Sequence, residues 1–97
     1  MSPEKLSPEQ IGDEFDALGG SWACEQSELK NDYEFKDFKE ALGFVNQVGD
    51  LAEEADHHPD ILLHGWNKVR LTLSTHSAGG LTMNDFMLAR RVDGLLR

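Results

Sequence analysis

Cysteine is nearly absent from this chain of 97 residues: its one thiol, Cys24, stands between Ala23 and Glu25. A single cysteine excludes an intrachain disulfide and any Cys-x-x-Cys metal or redox motif. Neither neighbour is cationic, so nothing adjacent lowers the thiol pKa toward a reactive thiolate, and a core thiol is expected. Basic residues are scarce too, nine Lys and Arg against eighteen Asp and Glu, for a formal net charge of −9. That field repels nucleic acid and anionic membrane, so neither is expected as a direct partner. No apolar run approaches the roughly 18 residues a membrane-spanning helix needs, and the N-terminus carries no signal-like apolar segment. The expected location is the cytoplasm. Internal repeats and low-complexity linkers are missing, and the length fits one domain over residues 1–97.

What is present suffices for a packed interior, with 39% hydrophobic residues, five Phe and two Trp. Ser7-Pro8-Glu9-Gln10 predicts a helix start, with Ser7 as N-cap, proline at the first helical position and Gln10 closing a capping box. Ile11, Phe15 and Leu18 follow at helical spacing before Gly19-Gly20 stops the run. Two short strands are expected next, around Trp22–Leu29 and Tyr33–Phe35, with Lys30-Asn31-Asp32 as the turn. From Asp37 the period changes. Phe38, Ala41, Leu42, Val45, Val48, Leu51, Ala52 and Ala55 describe one face of a long helix. Gly43 and Gly49 weaken that helix, and glycine inside a helix often permits close approach of another backbone.

Pro59 disfavours helical geometry at His58, so the helix must end at or before the histidine pair. Ile61–His64 is a strand candidate, and Val69–His76 alternates regularly. Val69, Leu71 and Leu73 are expected to face the core, and Arg70, Thr72, Ser74 and His76 the opposite face. After the turn Ala78-Gly79-Gly80, Thr82 can cap a last helix with Met83, Phe86, Ala89, Val92 and Leu96 as its stripe. The order α-β-β-α-β-β-α points to an α+β fold, a four-stranded antiparallel sheet with helices packed on one face.

Two of the four histidines lie in the segment EEADHHPD, residues 53–60. A structural reading is available for both: His58 as a donor to helix-terminal carbonyls, and a cationic His57 at the negative end of the helix dipole. A metal site would need converging ligands, and neither H-x3-H nor HExxH spacing occurs; the set Glu53, His57, His58 and His76 is imaginable but unsupported by spacing. No serine sits in a nucleophile elbow. Acid–base catalysis asks for less, since imidazoles titrating near neutrality on two sides of a small molecule suffice. An open sheet edge and the glycine-bearing helix leave a protein-binding module as the non-catalytic alternative.

The spacing Glu53-x3-His57-His58-Pro59, six residues, Trp66, nine residues, His76, eight residues, Asp85 resembles the signature of the pterin-4a-carbinolamine dehydratases. NKVRLTLSTH (67–76) and GGLTMNDFMLA (79–89) resemble the same family, which has the inferred fold. Trp66 stands where tyrosine is commoner. The resemblance implies dehydration of a 4a-hydroxytetrahydropterin to the quinonoid dihydropterin, without metal or cofactor. It implies His57 and His76 as the acid–base pair and His58, Trp66 and Thr75 as substrate-binding residues. Glu53 would orient His57, and Asp85 would cap the last helix and support a site histidine. The family forms homodimers and homotetramers, so a second copy of the chain is an expected partner.

Overall fold

The computed structural model describes residues 4–96. Three helices and four strands follow the expected order: α1 (Pro8–Leu18), β1 (Ala23–Glu25), β2 (Glu28–Glu34), α2 (Phe38–Ala55), β3 (Asp60–His64), β4 (Lys68–Leu73) and α3 (Met83–Leu95). A short 3₁₀ turn, His76–Ala78, lies between β4 and α3. The sheet runs β1-β2-β4-β3 and every neighbouring pair is antiparallel. The fold is therefore α+β, with helices on one face of the sheet.

Each helix begins as its sequence dictates. The Ser7 hydroxyl accepts from the Gln10 N–H at 3.2 Å, and the Gln10 side chain accepts from the Ser7 N–H at 2.9 Å. Asp37 caps α2 by accepting from the Glu40 N–H at 2.8 Å. On the sheet, Leu29, Val69, Leu71 and Leu73 are buried against Ala41, Phe44 and Val48 of α2 and Phe86, Ala89 and Val92 of α3. Burying side chains of this size contributes about 1.5–3 kcal/mol each.

The long-helix stripe differs from the periodic expectation. Phe44 is buried whereas Phe38 and Leu42 are exposed, as are Met83 and Leu96 on and after α3. Phe38 and Met83 are the first residues of their helices, and Leu96 follows the last residue of α3. A Cβ added at Gly43 or Gly49 would meet nothing within 4 Å, so among the described residues no backbone of another element approaches either one.

The first hairpin corrects the sequence reading. Its turn is Gln26-Ser27, with φ of +50° and +65°, and not Lys30-Asn31-Asp32. Asn31 and Asp32 lie inside β2, where their side chains serve other partners. Asn31 Nδ2 donates to Tyr33 Oη at 2.9 Å, and Asp32 accepts from Arg70 Nε at 2.7 Å on the open face. Cys24 is also corrected. It lies on the edge strand β1 and is exposed, and what burial it has pushes its thiol pKa up, away from a reactive state. Among the described residues no helix is long and apolar enough to cross a membrane.

Candidate functional site

The segment that delivers the histidines is built by an abrupt helix exit. Asp56 adopts the left-handed conformation, with φ +50° and ψ +43°, immediately after the last residue of α2. Its N–H bonds the Glu53 carbonyl at 3.3 Å and the His57 N–H bonds the Ala52 carbonyl at 3.1 Å. This is the paired closure of a Schellman motif, with aspartate where glycine is usual. The helix-terminal carbonyls are thus taken by backbone donors. The imidazoles of His57 and His58 are free for other partners.

They find different ones. His57 Nε2 lies 2.5 Å from Asp85 Oδ1, in a contact where the histidine side chain is 11% exposed and the aspartate fully buried. Asp85 Oδ2 accepts from the Thr75 hydroxyl and from the Thr82 backbone N–H, each at 2.9 Å. Thr75 and Thr82 hydroxyls are also 2.9 Å apart. Asp85 therefore makes two contacts, reaching back to the N-cap of α3 and bonding His57. Its place in the first turn of α3 also sets its charge at the positive end of the helix dipole.

Glu53 departs from expectation. Its Oε2 lies 2.5 Å from His58 Nε2, and His57 belongs to Asp85. The (i, i+4) relation holds only while the chain is helical, and α2 stops at Ala55. His76 departs too: β4 ends at Leu73, so strand alternation does not carry His76 onto the open face. The Thr75 N–H bonds the Gly80 carbonyl at 3.0 Å and Gly79 takes φ +76°, which closes a small loop with exposed His76 at its start.

Thr75 was expected to face a ligand, but it is buried and its hydroxyl points to Asp85 and Thr82. Trp66 lies apart from the histidines within the chain. It occupies the β3–β4 turn with φ +59° and 62% exposure. Because Asp60 pairs with Thr72 and His64 with Lys68, that turn is the far end of the hairpin from the histidines. Six residues at about 3.3 Å each put Trp66 on the order of 20 Å from the Thr72 end. Strand length, invisible in a motif spacing, keeps it from the site within one chain.

The site that remains is a cluster at one end of the sheet: Glu53 with His58, then His57, Asp85, Thr75 and the adjoining His76. His58 lines a groove of about 400 Å³ with Gly49, Glu53, Pro59 and Ile61. His76 lines a second, of about 260 Å³, with Gln26, Ser27, Glu28 and the Gly79-Gly80 backbone. Another concavity, about 580 Å³ between α2 and the end of α3, is lined by no histidine. Among the described residues no three His, Cys, Asp or Glu side chains gather as a metal-binding group. One imidazole, His57, bonded to one buried carboxylate, Asp85, can hold and move a proton. Thr82 is the member that sequence reasoning saw only as a cap; the hydroxyl beside a site carboxylate was visible only in three dimensions.

Residues 4–95 match the family described as Pterin 4 alpha carbinolamine dehydratase. A relative from Nostoc sp., provisionally named pterin-4-alpha-carbinolamine dehydratase, is 47% identical over 90% of this chain and 91% of its own. One from Acidobacterium capsulatum, under the same provisional name, is 45% identical over 95% and 98%. Among solved structures, a transcriptional coactivator/pterin dehydratase from Brucella melitensis superposes with a TM-score of 0.86 at 33% identity, covering 95% of this chain and 98% of that one. A pterin dehydratase-like protein described as a RuBisCO assembly factor of the alpha-carboxysome superposes at 0.66 and 26% identity, covering 80% and 92%.

Proposed function

The chain belongs to the pterin 4 alpha carbinolamine dehydratase family, and on that premise we propose that it dehydrates 4a-hydroxytetrahydrobiopterin, or a close pterin relative, to the quinonoid dihydropterin and water. The observation that carries the proposal is the linkage of His57 through Asp85 to Thr75, the residue next to His76. Losing water from a carbinolamine requires a proton on the departing C4a hydroxyl and removal of one from a ring nitrogen. One imidazolium and one neutral imidazole do both near pH 7. His57 and His76 are the acid–base pair in this reading, and His58, steadied by Glu53, is a substrate contact. The reaction would recycle the pterin cofactor of aromatic amino acid hydroxylases, in the cytoplasm. A homodimer or homotetramer is part of the proposal, supported by the exposed edges of the sheet and the open flank of α2 at Gly43 and Gly49.

The test is stopped-flow decay of enzymatically generated 4a-hydroxytetrahydropterin. Wild type accelerates the decay, and His57→Ala and His76→Ala each lose about 10²–10⁴-fold while keeping the wild-type circular dichroism spectrum. A folded wild type that gives no acceleration at any pH overturns the reading. It would favour the second one, a protein-binding module, for which the assembly-factor relative is the supporting observation.

A further inference from the structure

We propose that Asp85 holds His57 as its Nε2–H tautomer, so that Nδ1 is the nitrogen that exchanges a proton, and that Thr75 is a positioning residue for this arrangement. Hydrogen-bond counting leads there. Thr75 Oγ1 has one proton and donates it to Asp85 Oδ2 at 2.9 Å, where the Thr82 N–H also donates at 2.9 Å. At its 2.9 Å contact with Thr82 Oγ1, Thr75 can then only accept, so the Thr82 hydroxyl donates. Each proton in the chain from Thr82 to Thr75 to Asp85 has one direction. A carboxylate that accepts two bonds at Oδ2 presents Oδ1 as an acceptor, and the proton shared at 2.5 Å comes from His57 Nε2.

Nδ1 has no partner among the described residues, yet it is not sealed. Among the described residues the only fully buried side-chain nitrogen or oxygen without a hydrogen bond is Asn67 Oδ1, so an unpartnered Nδ1 keeps some exposure. A neutral His57 therefore presents a lone pair at Nδ1. It accepts a proton there to become imidazolium, keeps Nε2–H on Asp85 throughout, and returns the proton from Nδ1. Calling that proton the substrate's rests on the dehydratase reading; the tautomer does not.

The test is long-range ¹H–¹⁵N correlation of the histidine rings at a pH where they are neutral, with the His57 signals assigned by their loss in His57→Gln. Wild type shows a pyrrole-like Nε2 and a pyridine-like Nδ1; a protonated Nδ1 overturns the proposal. In Asp85→Asn the Thr75 hydroxyl and Thr82 N–H hold the amide oxygen, which turns the amide NH₂ toward His57 and inverts the tautomer. A folded Asp85→Asn with an unchanged tautomer also overturns it. Thr75→Val lowers kcat about 3–10-fold with KM within about twofold, and Thr75→Ser recovers it. A raised KM with unchanged kcat would make Thr75 a substrate contact and defeat its positioning role. If Asp85→Asn fails to fold, the wild-type spectrum and the Thr75 pair decide. If wild type shows no turnover, the spectra still decide the tautomer while the dehydratase reading falls.

Discussion

Glu53 Oε2 lies 2.5 Å from His58 Nε2, five residues along the chain, and both side chains are well exposed at 78% and 58%. An exposed pair of this kind contributes at most about 1 kcal/mol. Glu53→Gln should therefore raise KM for the pterin by about 2–5-fold and leave kcat within about twofold. Steady-state kinetics check it. A large loss of kcat would mean that Glu53 acts on His57 after all.

The exit of α2 supplies a stability prediction. Asp56 occupies a left-handed position at φ +50° that glycine fills without a side-chain penalty. Asp56→Gly should stabilise the fold by about 1 kcal/mol, and Asp56→Val should destabilise it by more. Urea midpoints at constant m-value would show both shifts.

These two cases mark where the sequence was legible. Helix starts were readable because a capping box is local chemistry, and Ser7 with Gln10 forms it as written. The element order was readable, and so was the buried Val69-Leu71-Leu73 row, from its alternation. The partner of Glu53 was not, because helical spacing stops having meaning at Ala55 and an aspartate marks a left-handed turn far less firmly than a glycine does. Nor was the first turn, where Asn31 and Asp32 have turn chemistry but spend it on Tyr33 and Arg70.

That turn can be tested directly. Gln26 and Ser27 both take positive φ in a two-residue hairpin loop, the conformation that Asn-Gly adopts with least strain. Replacing the pair by Asn-Gly should raise the thermal midpoint by several degrees, about 1 kcal/mol in a domain of this size. A lowered midpoint would mean that the native side chains make contacts worth more than the backbone relief.

Tyr33 gives a pH dependence. Burial pushes its phenol well above the ordinary value near 10; the Asn31 amide at its oxygen opposes this and nearby Asp93 adds to it. Below about pH 10 both folded and unfolded chains keep the proton, and this contribution to stability is flat. Above it only the unfolded chain ionises, so stability falls as pH rises toward the native value. The chain has one tyrosine, so ultraviolet absorbance reads it without ambiguity. The folded protein should show no phenolate step near pH 10, and Tyr33→Phe should remove this share of the alkaline loss. A phenolate step near 10 in the folded state would contradict the burial argument.

Trp66 offers the sharpest test of what one chain can do alone. It sits on the far turn of the β3–β4 hairpin, on the order of 20 Å from the histidine end, and is 62% exposed. In a Trp22→Phe background its fluorescence should be quenched freely by acrylamide, and Trp66→Ala should leave KM within about twofold. A protected Trp66 together with a raised KM would have one physical explanation. Since its own chain holds it away from the histidines, the indole must then reach the site of a second copy, and the homo-oligomer would be part of the binding site.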